Sequence, residues 1–599
     1  MRTSKLFFLI ASAMLLLATS ASLLTAQEGQ EGVFIPIGAG YGDTYDGLLE
    51  RIIAASTQDT INILVLASAY STNSDEISEE ERTQNTADAE ERRLEIEEAC
   101  TALAEGKTCV VTLAPIFTRE DALAPEALAL FIDNLDAVYI LGGDQAIAME
   151  ILAGSPVEEA LARIHASGTI ITGTSAGNAV QSRTMIGGYV GDFGPETGLN
   201  NGAVDIWDTD ERRGLSFGLD NVVLDQHFFQ RARLGRLLNV IAQPDVPHVG
   251  VGVDAYTAAV ISNRETVGDV FGLYTVAVAD AETFKSYETA QYVGDIVSIR
   301  NVLLHLLAPG DSTYNLMTRA HSLAAPPESI SRSFDDLNVP EGAGTLLLAG
   351  NLIDFFADSP ILARFDELSG GSAGNILIVA AGFADAERAQ TMAFNFSAAF
   401  GGASEIVILG KNTPAPEGDY TGIVIVGDDK SLIDPTALAA VLGDRWQNGT
   451  PVLADHAAAG VLGAFYANHG PTPEATDDDP FADENAIQGS FINGATEVVE
   501  GLGWINANIE TSLLYDYRLG RWFSVAYAHP DLLALGLTDG TAVEISSEEA
   551  SVLGANGIFV LDLRGATLSL GENDGFVIAN GLIDVFAPGE VITALDAAK

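Results

Sequence analysis

From Val33 onward, short apolar runs alternate with longer stretches whose apolar positions recur every three or four residues. The runs Val33–Ile37, Ile61–Ala67, Val110–Leu113, Ala137–Leu141 and Thr169–Thr172 are rich in β-branched residues. Successive residues of a strand point to opposite faces, so a run that is apolar throughout predicts a strand covered on both faces. Such strands, separated by helical patterns, predict buried parallel strands in an α/β layer fold. Between them, Ser155-Pro-Val-Glu158 has the form of a capping box with proline at the first helical position. It predicts a helix that runs to about Ser167 and stops at Gly168. The stretch Asp75–Glu98 predicts a charged helix facing solvent.

The pattern is written twice. Asn62-Ile-Leu-Val-Leu-Ala recurs as Asn375-Ile-Leu-Ile-Val-Ala, and Arg233-Leu-Gly-Arg236 recurs as Arg518-Leu-Gly-Arg521. Asn301-Val-Leu-Leu-His-Leu-Leu-Ala-Pro-Gly310 recurs as Asn580-Gly-Leu-Ile-Asp-Val-Phe-Ala-Pro-Gly589. The offsets are 313, 285 and 279, falling slowly and keeping order. Repeats this long are whole domains rather than solenoid units. They predict a tandem duplication with one unit over 30–318 and another over 342–599. The connection, 319–341, carries Pro326-Pro327, Ser329, Ser331 and Ser333 and is expected to be a linker. The two units are expected to pack as an internal pseudo-dimer.

Composition adds place and partners. Arg2 and Lys5, then the apolar run Leu6–Leu17 and the small-residue site ending at Ala26, predict a secretory signal peptide over residues 1–26. The apolar run is short for a membrane span, so the mature chain is expected to be secreted with no stable membrane anchor. A formal net charge of −54 argues against nucleic-acid binding, which needs clustered Lys and Arg. Cys100 and Cys109, the only cysteines, fit a disulfide or two buried thiols equally well. The acidic stretch Asp477-Asp478-Asp479 with Asp483 and Glu484 fits a solvated loop better than a calcium site, since it lacks ordered ligand spacing and a turn glycine.

Three stretches carry chemistry. In Gly173-Thr-Ser175-Ala-Gly177 a buried strand ends, small residues permit a sharp turn, and a helical stretch follows. That is the sequence form of a nucleophile elbow, in which the serine stands exposed and the N–H of Ala176 faces a developing oxyanion. Asp225-Gln226-His227 leads into Arg231, Arg233 and Arg236. His227 is the candidate general base for Ser175, and the three arginines are candidate clamps for substrate carboxylates. Gly142-Gly143-Asp144-Gln145 follows another strand, and Gly143 is the candidate second oxyanion donor.

Gly-Gly-x-Gln, then Gly-Thr-Ser-Ala-Gly, then Asp-Gln-His-Phe-x-x-Arg-x-Arg-Leu-Gly-Arg-Leu, in this order, resembles cyanophycinase, a family grouped with the aspartyl dipeptidases (peptidase E). The resemblance covers nearly all of the first unit. It implies two tandem flavodoxin-like, class I glutamine-amidotransferase-like three-layer α/β domains with mostly parallel sheets. It implies hydrolysis of an Asp- and Arg-rich polymer or peptide without metal or cofactor. By the resemblance, Ser175 is the nucleophile, His227 the base, and Gln145, Asp225, Gln226, Arg231, Arg233 and Arg236 shape the substrate site. Two positions depart from the family. Ala255, after Asp254, replaces the Glu that completes the family's triad, and Asn178 stands where the family usually has Ala. Losing the third triad member lowers a serine protease's rate about 10⁴-fold. Asp254 would face the opposite side of its strand unless a bulge turns it.

The second unit departs further. The repeat places Asp428-Asp429-Lys430 over Gly143-Asp144-Gln145, His456 over Ser175, Ser512 over His227 and Asp516 over Arg231, while Arg518 and Arg521 persist. That unit is expected to be structural. The sequence therefore predicts a secreted serine-type hydrolase acting through a Ser175 acyl-enzyme on cyanophycin or related Asp-containing bonds. Its rivals are an aspartyl dipeptidase-like peptidase and a secreted pseudoenzyme that binds polymer without cutting it.

Overall fold

The computed structural model describes residues 32–356, 359–469, 489–516 and 518–599. The expected signal peptide, residues 1–26, and the acidic stretch at 477–484 lie outside the described residues. The apolar runs form the strands Phe34–Ile37, Thr60–Leu66, Thr108–Ala114, Ala137–Ile140 and Ile170–Thr174. Leu64, Leu66, Val138, Ile140 and Ile171 face one side and pack on the helices Gln145–Leu152 and Pro156–Ala166. Ile63, Val65 and Tyr139 face the other side, under the helices Gly42–Ala55 and Glu79–Leu103. Both faces are thus buried, as the uninterrupted apolar runs require. Thr108–Ala114 departs from this rule: it is the edge strand, and Val110 is 41% exposed. The helix Glu79–Leu103 is charged over most of its surface and turns only Asn85, Ala89, Ile96 and Cys100 inward. Cys100 reaches Cys109 on the edge strand as a disulfide, with Cα atoms 6.0 Å apart.

Ser155 caps its helix by accepting the Glu158 N–H. The reciprocal half of the box is not made. The Glu158 carboxylate takes the Gly154 N–H at 2.7 Å and binds Arg213 with both oxygens, because a buried guanidinium is the stronger partner.

Among the described residues each unit has a main sheet, and the two follow one strand order. In the first it runs Thr266–Gly272, Thr257–Ser262, Phe34–Ile37, Ile170–Thr174, Ala137–Ile140, Thr60–Leu66, Thr108–Ala114. In the second it runs Ala550–Gly554, Thr541–Ile545, Leu346–Ala349, Val452–Asp455, Gly422–Gly427, Asn375–Ala381, Ala403–Ile408. The last five strands in each series are parallel. The expected mixed α/β architecture with parallel sheets is present.

The alternation did not foretell a further, ten-stranded sheet to which both units contribute. Its main path is Val223–Gln226, Val249–Val253, Val276–Asp280, Ile296–Leu307, Phe576–Phe586, Ile558–Asp562, Leu533–Gly536, Ala507–Glu510. The order is a palindrome in the repeat, and most of its pairings are antiparallel. At its centre Ile296–Leu307 pairs with Phe576–Phe586, and Leu303 lies directly opposite Leu582. These two leucines occupy the same place in the repeat, and the pairs on either side, Val302 with Ile583 and Leu304 with Gly581, mirror each other, so a local two-fold axis passes between them. Beneath this sheet the units share one apolar core, in which Phe229 stacks on Phe491 with ring centroids 4.3 Å apart.

The segment 319–341, expected as a linker, is tied into this joint. Ser329–Ile330 pairs with Ala597–Ala598, and Arg332 is buried beside Asp562 and Asp584. Its Nη2 donates to Asp584 Oδ1 at 2.6 Å and Oδ2 at 2.7 Å, and to Asn301 Oδ1 at 2.7 Å. Among the described residues no helix is long and apolar enough to cross a membrane. Asp562 also holds Arg564 at 2.8 Å, but replacing Arg332 by alanine would leave the fully buried Asp584 without its ion-pair partner. The Arg332→Ala chain is expected to lose about 3–5 kcal/mol of unfolding free energy, read from urea titration.

Candidate functional site

The site stands at the carboxyl ends of the parallel strands, where loops and helix starts converge. Ile170–Thr174 ends at Ser175, whose backbone has φ 53° and ψ −112°, and the short helix Ala176–Ala179 follows at once. Such a conformation costs a non-glycine residue on the order of 1–3 kcal/mol and is held only by firm surroundings. Those surroundings are close. A Cβ on Gly173 would fall 2.6 Å from the Ile140 carbonyl oxygen, and one on Gly177 would fall 2.2 Å from it. Only glycine lets the elbow press against the neighbouring strand. Ser175 stays partly exposed while Thr174 and Ala176 on either side are buried.

Val223–Gln226 carries His227 to the serine. Ser175 Oγ lies 3.0 Å from His227 Nε2. The histidine backbone is itself left-handed, with φ 46°, and its N–H donates to the Gly38 carbonyl at 3.2 Å. Burial, then the charges of Arg233, Arg231 and Arg236, hold the imidazole pKa well below 6.5. The neutral ring that can accept the serine proton is therefore the resting form.

Gly143 has φ 132°, and a Cβ there would fall on the Ala69 carbonyl oxygen. This holds the Gly142-Gly143 turn against the elbow: a Cβ on Gly142 would come 3.2 Å from the Ser175 Cβ. The first-turn N–H of Ala176 has no acceptor within its own helix, as at every helix start. The Gly142-Gly143 turn and the start of the helix at Ala176 thus both adjoin Ser175.

The remaining predicted residues gather here but are largely engaged with one another. Arg236, 2% exposed, holds Asp225 with two hydrogen bonds, the Nε donating at 2.8 Å. Arg233 donates to the side chain and the carbonyl of Gln226. These two arginines buttress the His227 loop rather than stand as open carboxylate clamps, because a buried guanidinium needs its carboxylate inside the protein. Arg231 is the more exposed of the three. Gln145 donates its amide to the Ile186 and Gly187 carbonyls at 3.1 and 3.0 Å. Asn178 is fully buried. Ala255 is 3% exposed. The Asp254 carboxylate accepts the Phe229 N–H at 3.0 Å and the Thr275 hydroxyl at 2.6 Å, fastening the strand end to the His227 loop.

The second unit keeps the frame and changes the groups. His456 has φ 52° and ψ −122°, close to Ser175, and Ser512 has φ 51°, close to His227. Arg518 lies 3.7 Å from Glu510, as Arg233 lies 3.7 Å from Asp225. Lys430, in place of Gln145, is buried against Glu510. One residue escaped the sequence reading. Thr257 bonds the Ala255 carbonyl and receives the Tyr274 N–H; Thr541 bonds the Asp539 carbonyl and receives the Asn556 N–H. Asp539 therefore occupies in the second unit the place of Ala255 in the first. The signal was a single Thr-Asp-Gly-Thr turn, too short to align without these bonds.

Residues 97–201 match the family model described as Peptidase family S51. Over 192 residues the chain is 32% identical to the cyanophycinase of Geminocystis herdmanii, covering 31% of this chain and 65% of that protein. Over 215 residues it is 34% identical to the cyanophycinase of Synechococcus elongatus, covering 35% of this chain and 62% of that protein. The chain thus spans less than two thirds of the length of these relatives. Among solved structures, a peptidase from an acI-B1 Actinobacterium is 18% identical with a TM-score of 0.33, covering 48% of this chain and 98% of that one.

The direction of the His227 shift fixes a pH dependence. A base whose pKa lies below 6.5 stays neutral as the medium turns mildly acidic, so the acid limb of kcat/KM for any Ser175-dependent hydrolysis is expected below pH 6.5. Arg231→Gln removes one of the depressing charges and is expected to move that limb upward, read from a pH–rate profile.

Proposed function

We propose, from the kinship of residues 97–201 with Peptidase family S51 and from the Ser175–His227 pair, that this chain is a serine-type hydrolase of peptide or isopeptide bonds next to aspartate. The observation that carries the reading is the 3.0 Å contact of Ser175 Oγ with a neutral His227 Nε2 on a strained elbow. Ser175 Oγ attacks the scissile carbonyl while His227 takes its proton. The amides of Gly143 and Ala176 receive the oxyanion. His227 then protonates the leaving amine as the C–N bond breaks, and water hydrolyses the resulting acyl ester by the same proton transfers in turn.

Cyanophycin is the substrate this reading favours, since both curated relatives described above carry that name. The mature chain acts outside the cytoplasm: residues 1–26 have the form of a signal peptide, and the Cys100–Cys109 bridge suits an oxidising compartment. The two units descend from one by duplication, a reading supported by their common strand order and the Leu303–Leu582 axis. The second unit, with His456 and Ser512 in place of nucleophile and base, serves as the first unit's packing partner. Ala255 is the observation that favours the rival, a polymer binder without turnover.

The test is dipeptide release from purified cyanophycin by the mature chain, with β-linked Asp dipeptides run beside it. Ser175→Ala is expected to lower release by on the order of 10³-fold or more. Ala255→Glu is expected to raise kcat, by up to about 10⁴-fold, by restoring an orienting carboxylate. Cleavage of dipeptides but not polymer would move the assignment to the aspartyl dipeptidases. Tight polymer binding without release from any variant would leave the binder.

A further inference from the structure

The repeated stretch that begins at Asn301 and again at Asn580 anchors the joint between the units twice, with different chemistry. His305 and Asp584 hold the same place in the repeat, and both are fully buried. Each accepts a backbone N–H from the left-handed asparagine of the opposite strand. Asp584 Oδ1 takes the Asn301 N–H at 2.7 Å, and His305 Nδ1 takes the Asn580 N–H at 3.3 Å. The strand register shifts at both places, so a side chain serves where the backbone ladder lapses. The asparagine side chains match as well: Asn301 donates to the Leu595 carbonyl and Asn580 to the Ala325 carbonyl, each at 2.9 Å.

What backs each acceptor differs. Asp584 is paired with Arg332. His305 is backed by a second buried imidazole, His321, stacked on it with ring centroids 5.7 Å apart. His321 Nδ1 accepts the Leu323 N–H at 3.0 Å. A backbone amide can only donate, so neither Nδ1 carries a proton, and both rings are neutral with their hydrogen on Nε2. His305 Nε2 has no hydrogen-bond partner among the described residues. Burial, then the neighbouring His321, pushes His305 down to about 3. Burial, opposed by the Leu306 carbonyl, pushes His321 down to about 4. The other titratable or charged groups at this place are Tyr314, Asp280 and Arg319. The Tyr314 ring lies 4.7 Å from His305, its hydroxyl donates to Asp280 at 2.8 Å, and the Arg319 charge acts on that hydroxyl. Asp280 is also taken by Thr283 and the Glu282 amide. Protonation would thus put a hydrogen on each Nδ1 against another N–H, and two cations in a buried place without a counter-charge of their own.

We propose that His305 and His321 form an acid-sensitive latch on the joint. When they take up protons, the Asn580 and Leu323 amides lose their acceptors and the turn 321–325 leaves the Asn580 strand. The Asp584–Arg332 anchor, related by the two-fold axis, contains no imidazole and keeps its partners. Both rings titrate below 6.5 in the closed joint and near that value once released, so the latch is whole above about pH 6.5 and is lost as pH falls toward 4. Each proton taken up on opening multiplies the opening constant by about ten per pH unit.

The test is hydrogen exchange of the intact chain, read by mass spectrometry between about pH 7 and about pH 5 and corrected for the intrinsic amide rate. Opening of the peptides that cover 319–327 and Asn580 is expected to rise by up to about 100-fold per pH unit, while the peptide with the Asn301 amide stays protected. His305→Asn and His321→Asn keep an acceptor near the Nδ1 position and cannot charge. Each is expected to reduce the steepness to about tenfold per pH unit, with circular dichroism to check folding. Exchange of these peptides that does not change with pH in the parent chain would overturn the latch, as would a steepness unmoved in both variants. Loss of protection in both units at once would also overturn it, since that is general acid unfolding. If neither variant folds, the contrast between the Asn580 and Asn301 peptides of the parent chain decides alone.

Discussion

The pairing of Ile296–Leu307 with Phe576–Phe586 is the contact on which the remaining architecture hangs. Each strand is long and mostly apolar, broken by Arg300, Asn301 and His305 in one and by Asn580 and Asp584 in the other, and each would be an exposed edge in a separate unit. An edge of that length and composition invites uncontrolled pairing with other chains. Here each edge is closed by the other in the same molecule. The Leu303–Leu582 axis sets the register, and Asn301 and Asn580 adopt the same left-handed conformation on either side of it, at φ 58° and 62°. Arg332 then inserts beside Asp584 and Asp562, so the connecting segment acts as a clamp across the joint.

This joint reaches the site through a short chain of contacts. The helix Leu234–Ile241, which opens just after the His227 loop, packs in the shared core with Leu513, Leu519 and Phe523 of the second unit. Phe228 and Phe229, next to His227, lie in the same core. The histidine therefore owes its left-handed backbone to three anchors: Gly38 on the main sheet, Asp254 on the shared sheet, and an aromatic cluster that both units build. A second unit without a nucleophile is still needed for that third anchor.

Local chemistry was the legible part of the sequence. The elbow, the His227 stretch and the parallel strands each rest on a short run of neighbouring residues. The shared sheet was not legible, because antiparallel pairing between residues 296–307 and 576–586 leaves no mark on the periodicity of either strand. The roles of Arg233 and Arg236 were misjudged for a related reason. In a strongly acidic chain an arginine cluster suggests a clamp for external carboxylates, but the nearest carboxylate, Asp225, lies on the adjoining strand and takes Arg236 internally. Glu158 likewise left its capping partner for Arg213, which is distant in sequence and adjacent in space.

Asp539 and Ala255 mark one place where the two matching frames differ in charge. That position is empty of charge in the unit with the Ser175–His227 pair, and carries a carboxylate in the other. Asp539 is held by Asn351 at 3.0 Å, and burial raises its pKa, so it is a tolerated cost in the second unit rather than a free surface charge. The strained backbone at His456 is kept as well, although no nucleophile needs it. Strain of this kind survives where packing over-determines it. The glycine-rich contacts at the elbow, shown by the clash a Cβ on Gly427 would make with the Ala458 amide, supply that packing in the second unit as they do in the first. The frame of the site is thus a property of the fold, and the two units differ in the groups mounted on it.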